Sequence, residues 1–240
     1  MNNGCILQVA DYSAAFFSNF LSSLLRLQRS VRDELDLESV FVFPESARSR
    51  PWLRAVAEAG VRVEFCDRDA SHRERIRRLR DIGREHNACL YHSHFGTFDA
   101  DVAYVAARAG APVVWHMHSP YPEEGGLRQR VGERLKFTLL PRWFVDRVVA
   151  VSPSVAESAT RHGAPASRFV TILSGIDTDR AHPLRAEERS IRRRARGLEE
   201  QQVVFVLLGW APQRKGVDLF ANAIRLVERR MAQRIRAIVV

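Results

Sequence analysis

The sequence predicts an α/β protein built on a doubly wound parallel sheet, and three observations lead to this prediction. Short apolar runs alternate along the chain with longer amphipathic stretches. The first of these stretches carries apolar residues at three- and four-residue intervals, which is typical of a helix that packs on a sheet. No apolar run reaches the roughly 18–20 residues that a membrane-spanning helix needs. The alternation of strands and helices therefore favours a parallel sheet that is covered on both faces.

Seven strands are predicted in the first three quarters of the chain. Their ranges are 5–10, 39–43, 61–66, 88–91, 112–116, 147–151 and 169–172. The first helix is predicted over about 14–31, where an apolar stripe is formed by Phe17, Phe20, Leu24, Leu27 and Val31. After the sixth strand, Ser154 and Glu157 are spaced as a capping box, which predicts the start of another helix.

The chain changes character after the seventh strand. Residues 178–202 are polar and rich in arginine and glutamate, which suits a connection that contains a short helix. A new strand, turn and helix start follow over 203–216. We therefore predict a Rossmann-like N-terminal domain over 1–178, a linker over 179–200 and the beginning of a second, incomplete Rossmann-like domain over 201–240.

Composition and charge are those of a soluble globular protein, with 46% hydrophobic and 27% charged residues. The net charge of +9 comes from arginine, since Lys136 and Lys215 are the only lysines. The basic residues are spread along the chain without a nucleic-acid reader motif, so specific nucleic-acid binding is not expected. Phosphate-rich substrates and anionic lipid head groups remain candidate partners. Three widely spaced cysteines and an uncharged N-terminal start predict reduced thiols, no signal peptide and a cytoplasmic location.

Polar residues follow several of the predicted strands. Ligands bind beyond the carboxyl ends of the strands in an open parallel sheet, so these residues are the candidate site. Tyr12 and Ser13 follow the first strand, His94 the fourth, His118 the fifth and Ser152 the sixth. We expect the side chains of these five residues to line one cleft.

Four histidines lie at the tips of the fourth and fifth strands: His92, His94, His116 and His118. Imidazole is the commonest metal ligand, so a metal-dependent hydrolase is one alternative. No further histidine pair follows, and Asp99 is predicted to be helical, so we expect no bound metal and no cofactor. His92 and His116 are expected to bond to the backbone, whereas His94 and His118 are expected to face the cleft.

A second candidate site lies in the predicted second domain. Residues 203–216 indicate a buried strand, a glycine turn at Gly209 and a loop that ends in Arg214 and Lys215 at a helix start. Backbone amides at a helix start and a lysine side chain suit an anionic ligand.

Taken together and in this order, these segments resemble a known family. The segments are 92–94, 109–118, 148–152, 174–177 with Pro183, and 209–216 with Asp218. Their order and spacing are similar to those of the retaining glycosyltransferases of family 4, which have two Rossmann-like domains facing across a cleft (the GT-B fold). The resemblance implies metal-free transfer of a sugar from a nucleotide-sugar donor to a hydroxyl acceptor. It also implies that the N-terminal domain holds the acceptor and the C-terminal domain the donor.

The resemblance also assigns roles to individual residues. His118 matches the position beside the donor sugar, and Lys215 matches the position that meets the donor phosphates, with Arg214 and Gly209 beside it. One departure is Trp210, which stands where the family usually has an arginine. The family's two donor-domain glutamates, eight positions apart, have no counterpart here, so little or no transfer is expected from this chain alone. A non-catalytic remnant or partner subunit that binds the acceptor or another chain is therefore the main alternative.

A basic and aromatic segment over 128–147 predicts contact with a membrane. Arginines alternate there with Leu135, Leu139, Trp143 and Phe144, a composition that suits an anionic membrane surface. In the family the equivalent region often borders the acceptor side, which suits a lipid-linked acceptor in polysaccharide or glycolipid synthesis at the inner face of the cell membrane. The alternative is an ordinary helix that packs on the sheet.

Overall fold

The computed structural model describes residues 4–120, 127–176, 178, 181–209, 212–231 and 235–240. The chain divides into two compact units, Met1–Asp177 and Thr178–Val240. The division between the units falls next to the predicted domain boundary at residue 178, and the predicted linker over 179–200 lies in the second unit.

Unit 1, Met1–Asp177, alternates strands and helices along its whole length. Its strands are β1 (Cys5–Ala10), β2 (Glu38–Phe43), β3 (Arg62–Phe65), β4 (Ala88–His94), β5 (Val113–Met117), β6 (Arg147–Ala150) and β7 (Phe169–Thr171). Its helices are α1 (Asn19–Leu35), α2 (Leu53–Glu58), α3 (His72–Glu85), α4 (Asp99–Ala109), α5 (Leu127–Trp143) and α6 (Pro153–Arg161). Short 3-10 turns occur at Glu45–Ala47 and Ala166–Arg168.

The seven strands form one parallel sheet in the order β3-β2-β1-β4-β5-β6-β7. From β1 the chain adds β2 and then β3 on one side of the sheet. It then returns and adds β4 to β7 in order on the other side of β1. This reversal makes the carboxyl ends of β1 and β4 a topological switch point, where ligands bind in sheets of this type. At that edge Ala10 pairs with His94, and His94 pairs with His116. The predicted doubly wound α/β fold is confirmed.

Both faces of the sheet are buried, and β2 shows how its residues alternate between them. Val40 and Val42 pack on one face, in the cluster that includes side chains of α3 and α4. Phe41 and Phe43 pack on the other face, together with Trp52. Since successive side chains of a strand point to opposite faces, a nearly continuous apolar run is what such a sheet requires.

Two element boundaries differ from the prediction. The helix predicted over 14–31 begins later, at Asn19, because Trp52 fixes the preceding loop by donating a hydrogen bond from Nε1 to the carbonyl of Ala14, at 2.8 Å. Ser18 is extended and marks the helix start. β4 and β5 also end later than predicted, so His92, His94 and His116 lie inside the ladder and His118 directly follows β5.

Unit 2, Thr178–Val240, contains α7 (Ala186–Arg194), β8 (Val203–Leu207), α8 (Pro212–Lys215), α9 (Val217–Met231) and β9 (Ile235–Val239). β8 and β9 pair in parallel. The strand predicted as buried is instead largely exposed, since Val203, Phe205 and Val206 reach the surface. The physical reason is that a sheet of two strands with one long helix covers too little of the apolar side chains. No helix in the described parts of the chain combines the length and the apolar character needed to cross a membrane.

Candidate active site

The candidate site is a group of four histidines at the carboxyl ends of β4 and β5. The parallel register places His92 beside Val114 and His94 beside His116, so imidazoles from the two strands meet. The rings of His116 and His118 are stacked, with centroids 4.3 Å apart and planes 14° apart. His92 lies parallel to His116 at 5.5 Å. The four rings therefore form one contiguous cluster.

A chain of hydrogen bonds orients His118. Its Nε2 lies 3.2 Å from Nδ1 of His94, and Nε2 of His94 lies 3.1 Å from Oε1 of Gln8. Because Oε1 of Gln8 accepts, His94 donates from Nε2 and accepts at Nδ1 from the Nε2–H of His118. Nδ1 of His118 is then the unprotonated nitrogen, which is able to accept a hydrogen bond from a hydroxyl group.

Aromatic rings hold His118 from two sides. Phe95 stacks on the imidazole at 4.3 Å, and Phe20 meets it edge-on at 5.4 Å. Phe95 has a φ of 67°, in the left-handed region that is costly for a residue with a large side chain. Such strain is found where the surroundings force a geometry, often at functional sites. The result is an imidazole whose plane is fixed by packing.

The cluster is uncharged at neutral pH. Burial lowers the pKa of both His92 and His118 to about 3, and the pKa of His116 to about 4. Burial and the three neighbouring imidazoles lower the pKa of His94 well below its ordinary value. Since burial penalises the charged form of a base, these rings favour neutral partners such as sugar hydroxyls over an anion.

His92 and His116 do not make the backbone bonds that the sequence predicts. Nε2 of His92 and Nδ1 of His116 are buried and have no hydrogen-bond partner among the described residues. Ring nitrogens of His92, His94 and His116 lie within 4.8 Å of one another, so these three residues could hold a divalent cation. Both nitrogens of His94 already have partners, however, and a cation would have to displace one of them.

A cavity of about 530 Å³ opens beside His118. Its wall includes Asp99 and Glu133 and the Lys136 ammonium group. Lys136 donates to the carbonyl of Gly96 at 2.8 Å and lies 3.4 Å from Oδ2 of Asp99. Asp99 also accepts from Oγ of Ser93 at 2.6 Å. The same ammonium lies 3.9 Å from Oε2 of Glu133, so one cation is shared by two carboxylates and these three groups keep a net negative charge. The cavity therefore offers polar oxygens and nitrogens beside Phe95 and His118.

Tyr12 and Ser13, which were also predicted to line the cleft, lie in the loop between β1 and α1. Tyr12 packs against Phe20 and Trp52, and its hydroxyl donates to the carbonyl of Phe16 at 3.0 Å. Ser13 is half-buried in the same loop. The structure brings Tyr12 to 6.1 Å from the ring of Phe95, so it supports the aromatic wall rather than the cavity itself.

Ser152 caps a helix. Its Oγ accepts a hydrogen bond from the backbone N–H of Val155 at 3.3 Å, at the start of α6, where Pro153 is the first helical residue. The capping box expected between Ser154 and Glu157 is therefore wrong by two positions. The hydroxyl of Ser154 instead lies 2.9 Å from that of Ser152.

The predicted donor-side residues lie in unit 2. Gly209 is buried, and a Cβ atom there would meet Val239 at 2.6 Å, so the turn requires glycine. Lys215 is exposed and is the last residue of α8. The backbone of Arg214 belongs to α8, while its side chain and the whole of Trp210 lie outside the described part. That these residues and His118 face a shared crevice stays a prediction.

Three residues of the site were not anticipated from sequence. Gln8 is a polar residue in the middle of an apolar strand, and that signal was available. Phe95 and Lys136 gave no signal, because their importance comes from ring stacking and from a contact between α5 and the turn after β4.

Comparisons with known proteins bear on the family and the fold of the chain. The sequence profile described as Glycosyltransferase Family 4 matches residues 38–180. The chain is 28% identical over 144 residues to an alpha-galactosylglucosyldiacylglycerol synthase of Streptococcus pneumoniae, which covers 57% of this chain and 37% of that protein.

Solved structures share the fold at low sequence identity. The structure of Anabaena Alr3699/HepE in complex with UDP and glucose has a TM-score of 0.72 at 16% identity, and the match covers 99% of this chain and 61% of that one. A glycosyltransferase from Rickettsia africae has a TM-score of 0.69 at 10% identity, with 99% and 68% covered. The chain thus spans 37% of the length of the synthase and 61% of the Alr3699/HepE chain in the complex with UDP and glucose.

Proposed function

Since the chain belongs to Glycosyltransferase Family 4, we propose that it takes part in the transfer of a sugar from a nucleotide-sugar donor to a hydroxyl acceptor, with retention of configuration. The fold shared with Alr3699/HepE, whose structures contain UDP, glucose and UDP-glucose, supports a UDP-linked donor. The similarity to a glycolipid synthase supports a sugar or lipid-linked acceptor in glycolipid or polysaccharide synthesis.

The observation that carries this proposal is the neutral, oriented His118 at the edge of the cavity. Its Nδ1 accepts a hydrogen bond from a sugar hydroxyl, while His94 holds the ring from the other side. A neutral imidazole carries no charge that would attract the donor phosphates. We therefore propose that the ring contacts the sugar. His118 is thus the proposed catalytic residue, and His94 is a positioning residue.

The departing group of the proposed reaction is a nucleoside diphosphate. Fixed positive charge stabilises the negative charge that develops on its phosphate oxygens in the transition state. Lys215, with Arg214 and the glycine turn at Gly209, is the proposed source of that charge. The reaction balances without a cofactor, because the bond from the anomeric carbon to phosphate breaks, the bond to the acceptor oxygen forms and the acceptor proton leaves with the diphosphate.

The acceptor is proposed to occupy the cavity beside His118. Asp99, Glu133 and Lys136 offer hydrogen-bonding groups for hydroxyls, and Phe95 adds an apolar ring to the wall against which a sugar can pack. No resident metal is proposed. If His92, His94 and His116 instead hold a divalent ion that a hydrolytic activity requires, purified protein will contain stoichiometric metal, and chelation will abolish that activity.

The transfer assay tests the role of His118. The full-length product of the gene, rather than the 240-residue chain alone, is incubated with radiolabelled UDP-sugars and with a lipid extract or oligosaccharide acceptor. His118→Ala is expected to lower the transfer rate about 100-fold, because one oriented hydrogen-bonding group is lost from the transition state. His182→Ala is the matched control and should transfer at the normal rate. Equal rates for both variants would contradict the role given to His118.

Donor binding is tested separately on the 240-residue chain, whose turnover alone is proposed to be little or none. UDP, GDP and their sugars are compared by thermal shift, and selective stabilisation by one nucleotide is the expected result. Lys215→Ala should reduce that stabilisation more than Lys215→Arg does. Stabilisation that is the same for every nucleotide, or unchanged in Lys215→Ala, would contradict the donor-side assignment.

The proposal includes contact with a membrane surface, which one row of exposed side chains on α5 supports. Val131, Leu135, Leu139 and Trp143 follow one another at four-residue intervals and are between 49% and 71% exposed. Arg142 is exposed at the same end of the helix, and the Arg168 guanidinium lies 3.5 Å from its carbonyl oxygen. Apolar side chains flanked by arginines suit the surface of an anionic bilayer.

Vesicle co-sedimentation tests this contact. The protein is expected to sediment with phosphatidylglycerol vesicles and not with phosphatidylcholine vesicles, and L139Q/W143Q should lose most of that binding. L35Q/I191Q removes two equally exposed apolar side chains elsewhere and should bind normally. Binding that survives L139Q/W143Q would remove α5 from the membrane contact.

A non-catalytic subunit is the second candidate function, and the exposed apolar residues of unit 2 favour it. Leu208, Leu219 and Leu226 are each at least 60% exposed, which suits contact with another chain. Stable co-purification with a second protein, without any nucleotide stabilisation, would favour this function over transfer.

A further inference from the structure

A second cavity, separate from the histidine cluster, lies between the C-terminal ends of α3 and α4. Its volume is about 570 Å³. Arg84 lines it from the last turn of α3, and Arg108 lines it from the last turn of α4. Tyr91 and Val105, both buried, contribute side chains from β4 and α4. This arginine groove opens at the amino end of the sheet, away from the strand tips.

The lining of the groove is positively charged and contains no acidic residue. Arg80, Arg84 and Arg108 line it. Arg80 is paired with Asp81 at 3.0 Å. Arg84 and Arg108 form no ion pair or hydrogen bond with any residue in the described ranges. Two guanidinium groups on facing helices are therefore available to one anion.

Tyr91 adds a buried donor to these two guanidinium groups. The side chain is 2% exposed and lines the groove, so its hydroxyl is a candidate donor at the floor. Burial raises the pKa of Tyr91, so the phenol keeps its proton and is able to donate. At Gly83 a Cβ atom would lie 2.1 Å from the Tyr91 oxygen. The absence of a side chain at Gly83 thus makes room for the Tyr91 hydroxyl at the floor of the groove.

We propose that the arginine groove binds the phosphate group of a small molecule or of a lipid. Guanidinium groups match the oxygens of a phosphate through paired N–H donors. The groove supplies donors from two helices and from the floor, which suits a tetrahedral anion with oxygens on several sides better than a planar carboxylate. The exposed ring of Tyr104, also in the wall, offers a face for the rest of the ligand. This site does not depend on the proposed sugar transfer.

Calorimetric titration of the chain with inorganic pyrophosphate tests this site. R84Q/R108Q is expected to weaken binding by roughly tenfold or more, since each lost guanidinium removes charge-assisted hydrogen bonds. R29Q/R73Q removes the same charge from exposed positions on α1 and α3 and should bind like the unchanged chain. Tyr91→Phe should weaken binding several-fold, while circular dichroism shows an intact fold.

A second titration separates the sources of the phosphate. Vesicles that contain phosphatidic acid are compared with phosphatidylcholine vesicles, again with both double variants. Loss of binding in R84Q/R108Q alone supports the site, and the ligand that responds identifies whether the phosphate is soluble or membrane-borne. Equal losses in both double variants, or no binding of either ligand by the unchanged chain, would overturn the proposal and leave Arg84 and Arg108 as partners of the helix dipoles.

Discussion

The two ends of the α3–α4 pair have opposite electrostatic character. At the N-terminal ends, Asp101 is paired with Arg75 at 2.6 Å, Asp99 lies beside Lys136, and the adjoining imidazoles are neutral. At the C-terminal ends, Arg84 and Arg108 face an open groove. The charged groups are thus paired with one another where a sugar is proposed to bind, and two guanidinium groups are left unpaired where a phosphate is proposed to bind. The two proposals together assign chemically different ligands to the two ends of one pair of helices.

The largest expected effect concerns acid stability at the histidine end. The folded-state pKa values of about 3 to 4 lie below the ordinary value of 6.5, so the folded protein binds fewer protons than the unfolded chain between these limits. The free energy of unfolding is therefore not reduced by these histidines above about pH 6.5. Below that pH it decreases by about 1.4 kcal/mol per pH unit for each histidine. Urea unfolding at pH 7 and pH 5 measures this loss.

A single replacement sharpens that measurement. His116→Gln should reduce the pH dependence by about one proton, because the ring with the lowered pKa is removed. A cluster that is already protonated in the folded protein at pH 6 would give no loss of stability between pH 7 and pH 5. That result would remove the neutral character of this end and with it the contrast with the arginine groove.

The next effect concerns packing at the arginine end. Gly83→Ala places a methyl group against the Tyr91 hydroxyl and is expected to cost about 1–3 kcal/mol in the free energy of unfolding. Tyr91→Phe in the same chain should restore much of that loss, because it removes the oxygen that the methyl group meets. Gly132→Ala is the control: nothing lies within 4 Å of its Cβ position in α5, so it should be neutral or slightly stabilising. Additive losses in the double variant would show that the hydroxyl is not held at Gly83.

The smallest effect concerns Ser152, which lies at a strand tip but serves a helix. Ser152→Ala is expected to cost about 1 kcal/mol, the usual cost of a lost N-cap. Transfer and acceptor binding should be unchanged once the stability loss is taken into account. A specific loss of acceptor binding would return Ser152 to the ligand-contacting residues and extend the sugar-handling end to β6.

The strands of unit 1 were predictable because both of their faces are buried. β1 is predicted to the residue, and the apolar run of β2 is recognised although it serves two separate cores. The start of α1 was not predictable, because a tertiary hydrogen bond from Trp52 to Ala14 holds the preceding loop in a non-helical conformation. In unit 2, apolar periodicity predicts strand β8 but not its exposure, which depends on what covers it.

The candidate site was predictable as residue types at strand ends and not as contacts. The sequence places His94 and His118 at neighbouring tips, and the parallel register brings them to hydrogen-bonding distance. It does not reveal that Lys136 reaches the turn after β4, since 40 residues separate the two. Nor does it reveal the groove, because Arg84 and Arg108 look like ordinary helix-end arginines until α3 and α4 are placed side by side.

The protonation state of His118 tests the central claim of a neutral, sugar-handling strand tip most directly. Nuclear magnetic resonance of ¹⁵N-histidine-labelled protein follows each imidazole as the pH is lowered, with His118→Gln used to assign its signal. The prediction is that His118 stays neutral to below about pH 5, with Nε2 protonated, because burial opposes its charging. Titration of His118 near the ordinary value of 6.5 would contradict it.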